Sequence, residues 1–147
     1  MKPFLLLLLV LAGAAITTQS AVNSQLRGAL HSVGWAVFIS YLGGSLVAGA
    51  LLLLTRTPLP ALAELGSLKW YYWTGGLLGV GYVLTITFSL QRVGAASLFA
   101  LVVAGQLLTA LLYDQLGVLN LSRSPLSSSK LAGVALLVLG AYLLNRK

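Results

Sequence analysis

The sequence predicts an all-α integral membrane protein of five transmembrane helices. Three observations lead there. Of its 147 residues, 59% are apolar and only 7% charged, whereas about a quarter of a soluble domain is charged. Glu64 and Asp114 are the only acids. Five long apolar runs divide the chain, and a surface with so few solvated groups is one that lipid covers. Backbone groups in lipid must be satisfied within the spanning structure itself. Alternating strand patterns are absent from the sequence, so the spans are helices and not the staves of a barrel. At this length they form a single domain, residues 1–147.

A helix crosses the hydrocarbon core in about 20 residues. The first span is expected at residues 3–22, nearly all Leu, Val and Ala until Thr17, Thr18, Gln19 and Ser20 change its character. A secretory leader ending near Ser20 and Ala21 is the other reading of this segment. The membrane span is preferred because four more follow. The second span is expected at residues 33–54, the third at 70–90, the fourth at 95–113 and the fifth at 126–144. The longest link, residues 55–69, holds Pro58, Pro60 and Glu64. Trp70, Tyr71, Tyr72 and Trp73 form an aromatic belt where the third span meets the interface. Residues 91–94 make a tight turn, and Ser127 is a suitable N-cap for the last helix.

Small residues recur four apart. Ser40 and Gly44, then Ser45 and Gly49, do so in the second span; Gly75 and Gly79 in the third; Ala96, Ala100 and Ala104 in the fourth. Such faces let helices approach closely, so tight packing within one bundle is expected of them. The alternative is that these glycines let helices flex.

Composition also excludes functions. The net charge is +7, but the basic residues are scattered singly or at the C-terminus, so no cluster tracks a phosphate backbone and nucleic acid is not a partner. They read instead as anchors at helix ends. There is no Cys and one His, His31, so neither a metal nor another cofactor is called for. No set of nucleophile, base and orienting group exists, so the chain is not read as an enzyme.

With five spans, Lys2, Arg56, Lys69, Arg123 and Lys130 fall on one side and Arg27, Arg92, Arg146 and Lys147 on the other. Five against four is almost no orienting bias. Such a chain can insert both ways, and two copies can pair head to tail, as the inverted halves of many transporters do. A paired homologous subunit of opposite orientation would serve equally well.

Polar residues at membrane depth usually face a cavity or a bundle interior. Gln19, Asn23, Arg27 and His31 fall four apart, and each step drifts about 40° around a helix. If the first helix continues to Leu30, they form one polar stripe. Gln19 and Asn23 are candidate solute-binding groups; Arg27 is either that or an interfacial anchor; His31 reads as an interface residue. Gln106 lies mid-span in the fourth helix with two donors and two acceptor sites to satisfy. Asp114 follows two turns on, read as an interfacial acid paired with a base, with ion coupling as the alternative. Tyr82, with Thr85 and Ser89, offers hydroxyls in the third span, although Thr and Ser often bond to their own helix.

The second half carries a recognisable order of motifs. Val93-Gly94-Ala95-Ala96-Ser97 leads into Leu101-Val102-Val103-Ala104-Gly105-Gln106-Leu107 and then Asp114-Gln115-Leu116-Gly117. Pro125-Leu126-Ser127 precedes a final span punctuated by Gly133 and Gly140. With Gln19-x3-Asn23-x3-Arg27, and Trp70 followed by Gly75-Gly76-Leu77-Leu78-Gly79, the whole chain resembles the YdcZ-type family of the drug/metabolite transporter superfamily. The resemblance implies a half-sized secondary transporter in the inner membrane. The expected assembly is an antiparallel dimer working by alternating access, with a small solute bound at the midplane. The small multidrug relatives rely on a Glu in their first helix, and here no acid precedes Glu64. That departure weakens any reading as a proton-coupled exporter of organic cations and favours neutral or anionic solutes. The rival readings are a non-transporting assembly or regulatory subunit and a small channel.

Overall fold

The first helix, α1, spans Lys2–Leu30 and at 29 residues is the longest among the described residues. The computed structural model describes residues 2–146. Lys147 and the side chain of Lys2, both counted above among the basic residues, lie outside what is described. The helix runs well beyond the end expected at residue 22. The reason is local. Thr17 donates to the Gly13 carbonyl at 3.1 Å, Thr18 to Ala14 at 2.9 Å and Ser20 to Ile16 at 2.8 Å. These hydroxyls are satisfied one turn back on their own helix, so a change to polar residues does not oblige the helix to stop. His31, at φ 52°, ends it in the left-handed region, and His31 therefore falls off the polar stripe.

Ser32 then starts α2, Val33–Leu54, by accepting from the Trp35 amide. Both ends of α2 fall where the apolar run places them. A short helix, α3 (Leu62–Gly66), which the proline-rich link did not suggest, follows. Glu64 holds its start by accepting from the Ala61 amide at 2.9 Å. The aromatic belt Trp70–Trp73 is a 3₁₀ turn, not the first turn of an α-helix as expected, and α4 begins only at Thr74, running Thr74–Val93. Consecutive rings crowd there in edge-to-face contacts, Tyr71 against Trp70 at 6.1 Å and against Tyr72 at 4.6 Å, and the Thr74 hydroxyl bonds the Tyr71 carbonyl at 2.8 Å.

The turn after α4 is shorter than the four residues expected. Only Gly94, at φ 85°, separates α4 from α5, Ala95–Leu116. At the far end Gly117 takes φ 64°, the left-handed C-terminal stop that glycine adopts most readily. Arg123 lies over it and donates to the Leu116 carbonyl at 3.3 Å. A methyl at Gly117 would come 2.5 Å from the Arg123 Cγ, so the position is closed to side chains twice over. After a 3₁₀ turn, Ser127 caps α6, Ser128–Asn145, by accepting from the Lys130 amide at 3.2 Å, as its position suggested.

Among the described residues the structure is all-helical. Four helical segments are long and apolar enough to cross a membrane, those at Pro3–Leu30, Val33–Leu54, Trp70–Val93 and Ala95–Leu116. The fifth expected span corresponds to a shorter apolar helix, Ser128–Leu144. Large apolar side chains along all of them are exposed, from Phe4 to Leu144. In water such a surface would be untenable, whereas hydrocarbon solvates it.

The chain divides into two compact units, residues 1–91 and 92–147. In the first, the buried residues come from one end of three helices: Ser20, Asn23 and Ser24 of α1, Ala36 and Val37 of α2, and Ile86, Thr87 and Leu90 of α4. In the second, α5 packs along α6, Leu98, Ala104 and Ala141 are buried, and Ser97 donates to the Leu144 carbonyl at 3.1 Å.

Candidate functional site

Helices α1, α2 and α4 line an open hollow of about 480 Å³ within the first unit. Gln19 and Ile16 reach it from α1, Ser40, Tyr41, Gly44, Ser45 and Ala48 from α2, and Tyr82 and Val83 from α4. The polar groups come from different helices and meet on one wall: the Gln19 amide nitrogen stands 3.4 Å from the Ser40 hydroxyl. That is a long hydrogen bond, one that a solute carbonyl or hydroxyl can displace at little cost. Thr85, named with Tyr82 as a source of hydroxyls, instead bonds the Gly81 carbonyl at 2.8 Å and is consumed by its own helix.

The small residues of α2 serve this hollow. Tight packing was expected of them, but a methyl at Gly44 or Gly49 would meet nothing within 4 Å, and the same is true at Gly75. Along Ser40, Gly44 and Ala48 the absence of bulk leaves space for the hollow. Gly79 is different: a methyl there would lie 2.6 Å from the Tyr41 hydroxyl oxygen. The bare backbone of α4 at Gly79 is thus what lets the Tyr41 ring lie where it lines the hollow.

The remaining residues of the expected stripe sit elsewhere. Asn23 is 3% exposed and belongs to the buried end of the unit. Arg27, half-buried, turns onto α4: its Nη1 donates to the carbonyls of Phe88 at 3.2 Å and Thr87 at 3.4 Å, and its guanidinium lies 5.3 Å from the Phe88 ring centre. Gln91 returns the link, donating to the Ser24 carbonyl at 3.3 Å. Arg27 therefore ties α1 to α4 and does not line the hollow. Of the residues singled out from sequence, Gln19 and Tyr82 line the hollow; Tyr41, which carries no periodic or compositional signal, was not among them.

In the second unit, Gln106 borders a separate indentation of about 400 Å³ with Gly105, Thr109, Ala110 and Tyr113 on α5. Its amide is exposed and has no hydrogen-bond partner among the described residues. Asp114 is paired with a base, as expected: Lys130 Nζ lies 3.3 Å from its carboxylate and 2.7 Å from the Ser124 hydroxyl, while the Ser124 amide donates to the Asp114 carbonyl at 2.9 Å. Among the described residues no group of three or more His, Cys, Asp or Glu side chains is gathered to hold a metal.

The profile of the family described as "Putative inner membrane exporter, YdcZ" matches residues 4–143. This chain belongs to the YdcZ family. Its relatives include the inner membrane protein YdcZ of Escherichia coli (strain K12), 28% identical over 142 residues, which make up 95% of this chain and 93% of that one. No solved structure matches the chain. Membership, together with the apolar helices, makes it a multi-pass protein of the inner membrane.

Proposed function

We propose that this YdcZ-family chain is a secondary transporter of the drug/metabolite type that moves a small neutral or anionic solute by alternating access. The observation that carries the reading is the hollow of about 480 Å³ among α1, α2 and α4, with Gln19, Ser40, Tyr41 and Tyr82 around it. Its groups are amide and hydroxyl, able to donate and accept, with no carboxylate among them to hold an organic cation. In this reading α6 is the fifth span, its 18 residues reaching about 27 Å at 1.5 Å per residue, near the hydrocarbon thickness.

Two copies in opposite orientation would make the complete carrier. The near-equal split of basic residues between the two sides supports that arrangement, and so does Gln106. An exposed amide on a lipid-facing helix costs several kcal/mol unless something bonds it, and a second subunit, whether a copy or a homologue, would supply the partner.

The test is flux in liposomes. Purified protein should show saturable uptake of small polar solutes, and Gln19→Leu and Tyr82→Phe should each raise KM about fivefold, the loss of one hydrogen bond of about 1 kcal/mol. Unchanged KM in both variants would remove the hollow as the solute site; non-saturable conductance would point to a channel. Orientation is tested separately. Adding several Lys to one terminus should lock insertion one way and reduce flux at least severalfold, and an oppositely locked copy should restore it. Full flux from a single locked form would exclude the antiparallel assembly.

A further inference from the structure

We infer that the buried end of the first unit is a binding site for a small monovalent anion of halide size, formed by Asn23, Ser24 and Arg27 of α1 and Thr87 of α4. Three side chains there are almost completely buried: Asn23 is 3% exposed, Ser24 4% and Thr87 0%. The amide nitrogen of Asn23 and the hydroxyls of Ser24 and Thr87 have no hydrogen-bond partner among the described residues. Buried polar groups are nearly always paired, and three orphans in one small region point to an occupant.

They share one region because two interhelix bonds bring them there. Arg27 donates to the backbone carbonyl of Thr87, and Gln91 donates to that of Ser24. Both orphan hydroxyls thus belong to the residues whose carbonyls fasten α1 to α4, and Asn23 lies one turn from Arg27 on α1, beside Ser24.

The chemistry of the set selects an anion over water or a cation. Every member can donate: an amide N–H, two hydroxyls free to rotate, and the guanidinium N–H groups that the two carbonyls leave over. Arg27 brings a full positive charge, which repels a cation. No acid neutralises that charge. Glu64 and Asp114 are the chain's only acids; Glu64 holds the start of α3 and Asp114 pairs with Lys130. A charge in a membrane segment is costly unless it is compensated. Water would satisfy the hydroxyls and leave the charge, whereas an anion answers both. Ser24 and Thr87 are too deeply buried to meet anything larger than a single small ion. The site stands apart from the hollow lined by Gln19 and Tyr82 and does not depend on the transport reading.

The experiment uses the full-length protein purified in detergent and exchanged into gluconate. Chloride or bromide, added at constant ionic strength, should raise Tm saturably, by about 4 °C at ten times the dissociation constant. Ser24→Ala and the isosteric Thr87→Val should each abolish most of that rise; using both guards against one failing to fold. Crystals grown in bromide should show an anomalous peak beside Arg27 and Thr87. Anomalous peaks confined to surface basic residues, or a chloride response identical in wild type and both variants, would overturn the inference.

Discussion

Replacing Gly79 with alanine is expected to cut solute flux about tenfold or more, equivalent to at least about 1.4 kcal/mol of lost interaction, with no loss of stability. The added methyl would sit 2.6 Å from the Tyr41 hydroxyl oxygen. That oxygen is the far end of a side chain, so the fold need not move; the ring does. Alanine also favours a helix over glycine by about 1 kcal/mol, which offsets what the displaced ring loses in packing. The cost therefore falls on the shape of the hollow that Tyr41 lines. A second substitution separates this account from a general disturbance of α4. With Tyr41→Phe the hydroxyl is gone, and the nearest remaining ring atoms lie 3.7 and 3.9 Å from the methyl position, ordinary contact. Gly79→Ala combined with Tyr41→Phe should transport as well as Tyr41→Phe alone. Gly81→Ala, where a methyl meets nothing within 4 Å, should leave flux intact. Wild-type flux from Gly79→Ala would show that Tyr41 does not shape the route.

This coupling between Gly79 and Tyr41 marks the boundary of what the sequence can disclose. The spans follow from hydropathy, and α2 begins and ends where its apolar run does because a serine cap and a change to polar residues bound it. The end of α1 was hidden, because Thr17, Thr18 and Ser20 look like a departure from lipid while their hydroxyls return to the helix's own carbonyls. At the candidate site, Gln19 was legible as a polar group too costly to strand in hydrocarbon and Tyr82 as a hydroxyl offered to the interior. Their separation from Arg27 was not, because it depends on where a long side chain finds acceptors. Arg27 finds them in the carbonyls of Thr87 and Phe88, about 60 residues away in sequence. Four-residue spacing of small residues signals a thin helix face. It does not say whether another helix or open space lies against that face, and on α2 it is the latter around Gly44 and Ala48.

Lys130→Met should destabilise the second unit by about 1–3 kcal/mol, between the near-zero worth of a surface ion pair and the 3–5 kcal/mol lost when a buried one is broken. The intermediate value follows from geometry: the two side chains of the pair are 31% and 40% exposed. Lys130 also donates to the hydroxyl and carbonyl of Ser124, so its removal frees three acceptors and leaves the Asp114 carboxylate without a cation at the end of a membrane helix. Asp114→Asn should cost less, because an amide oxygen still accepts from Lys130. Asp114→Asn together with Lys130→Met should recover part of the loss, since no uncompensated charge remains, and the shortfall from additivity measures the pair itself. The same variants decide between two roles for Asp114. If the pair is a latch between α5 and the start of α6, Asp114→Asn lowers Tm but leaves the pH dependence of flux unchanged. If the carboxylate takes up and releases a proton in each cycle, Asp114→Asn flattens that profile even where stability is restored. The three contacts that Lys130 makes to Asp114 and Ser124 favour the latch, because together they fasten the start of α6 to the end of α5 and to the segment between them.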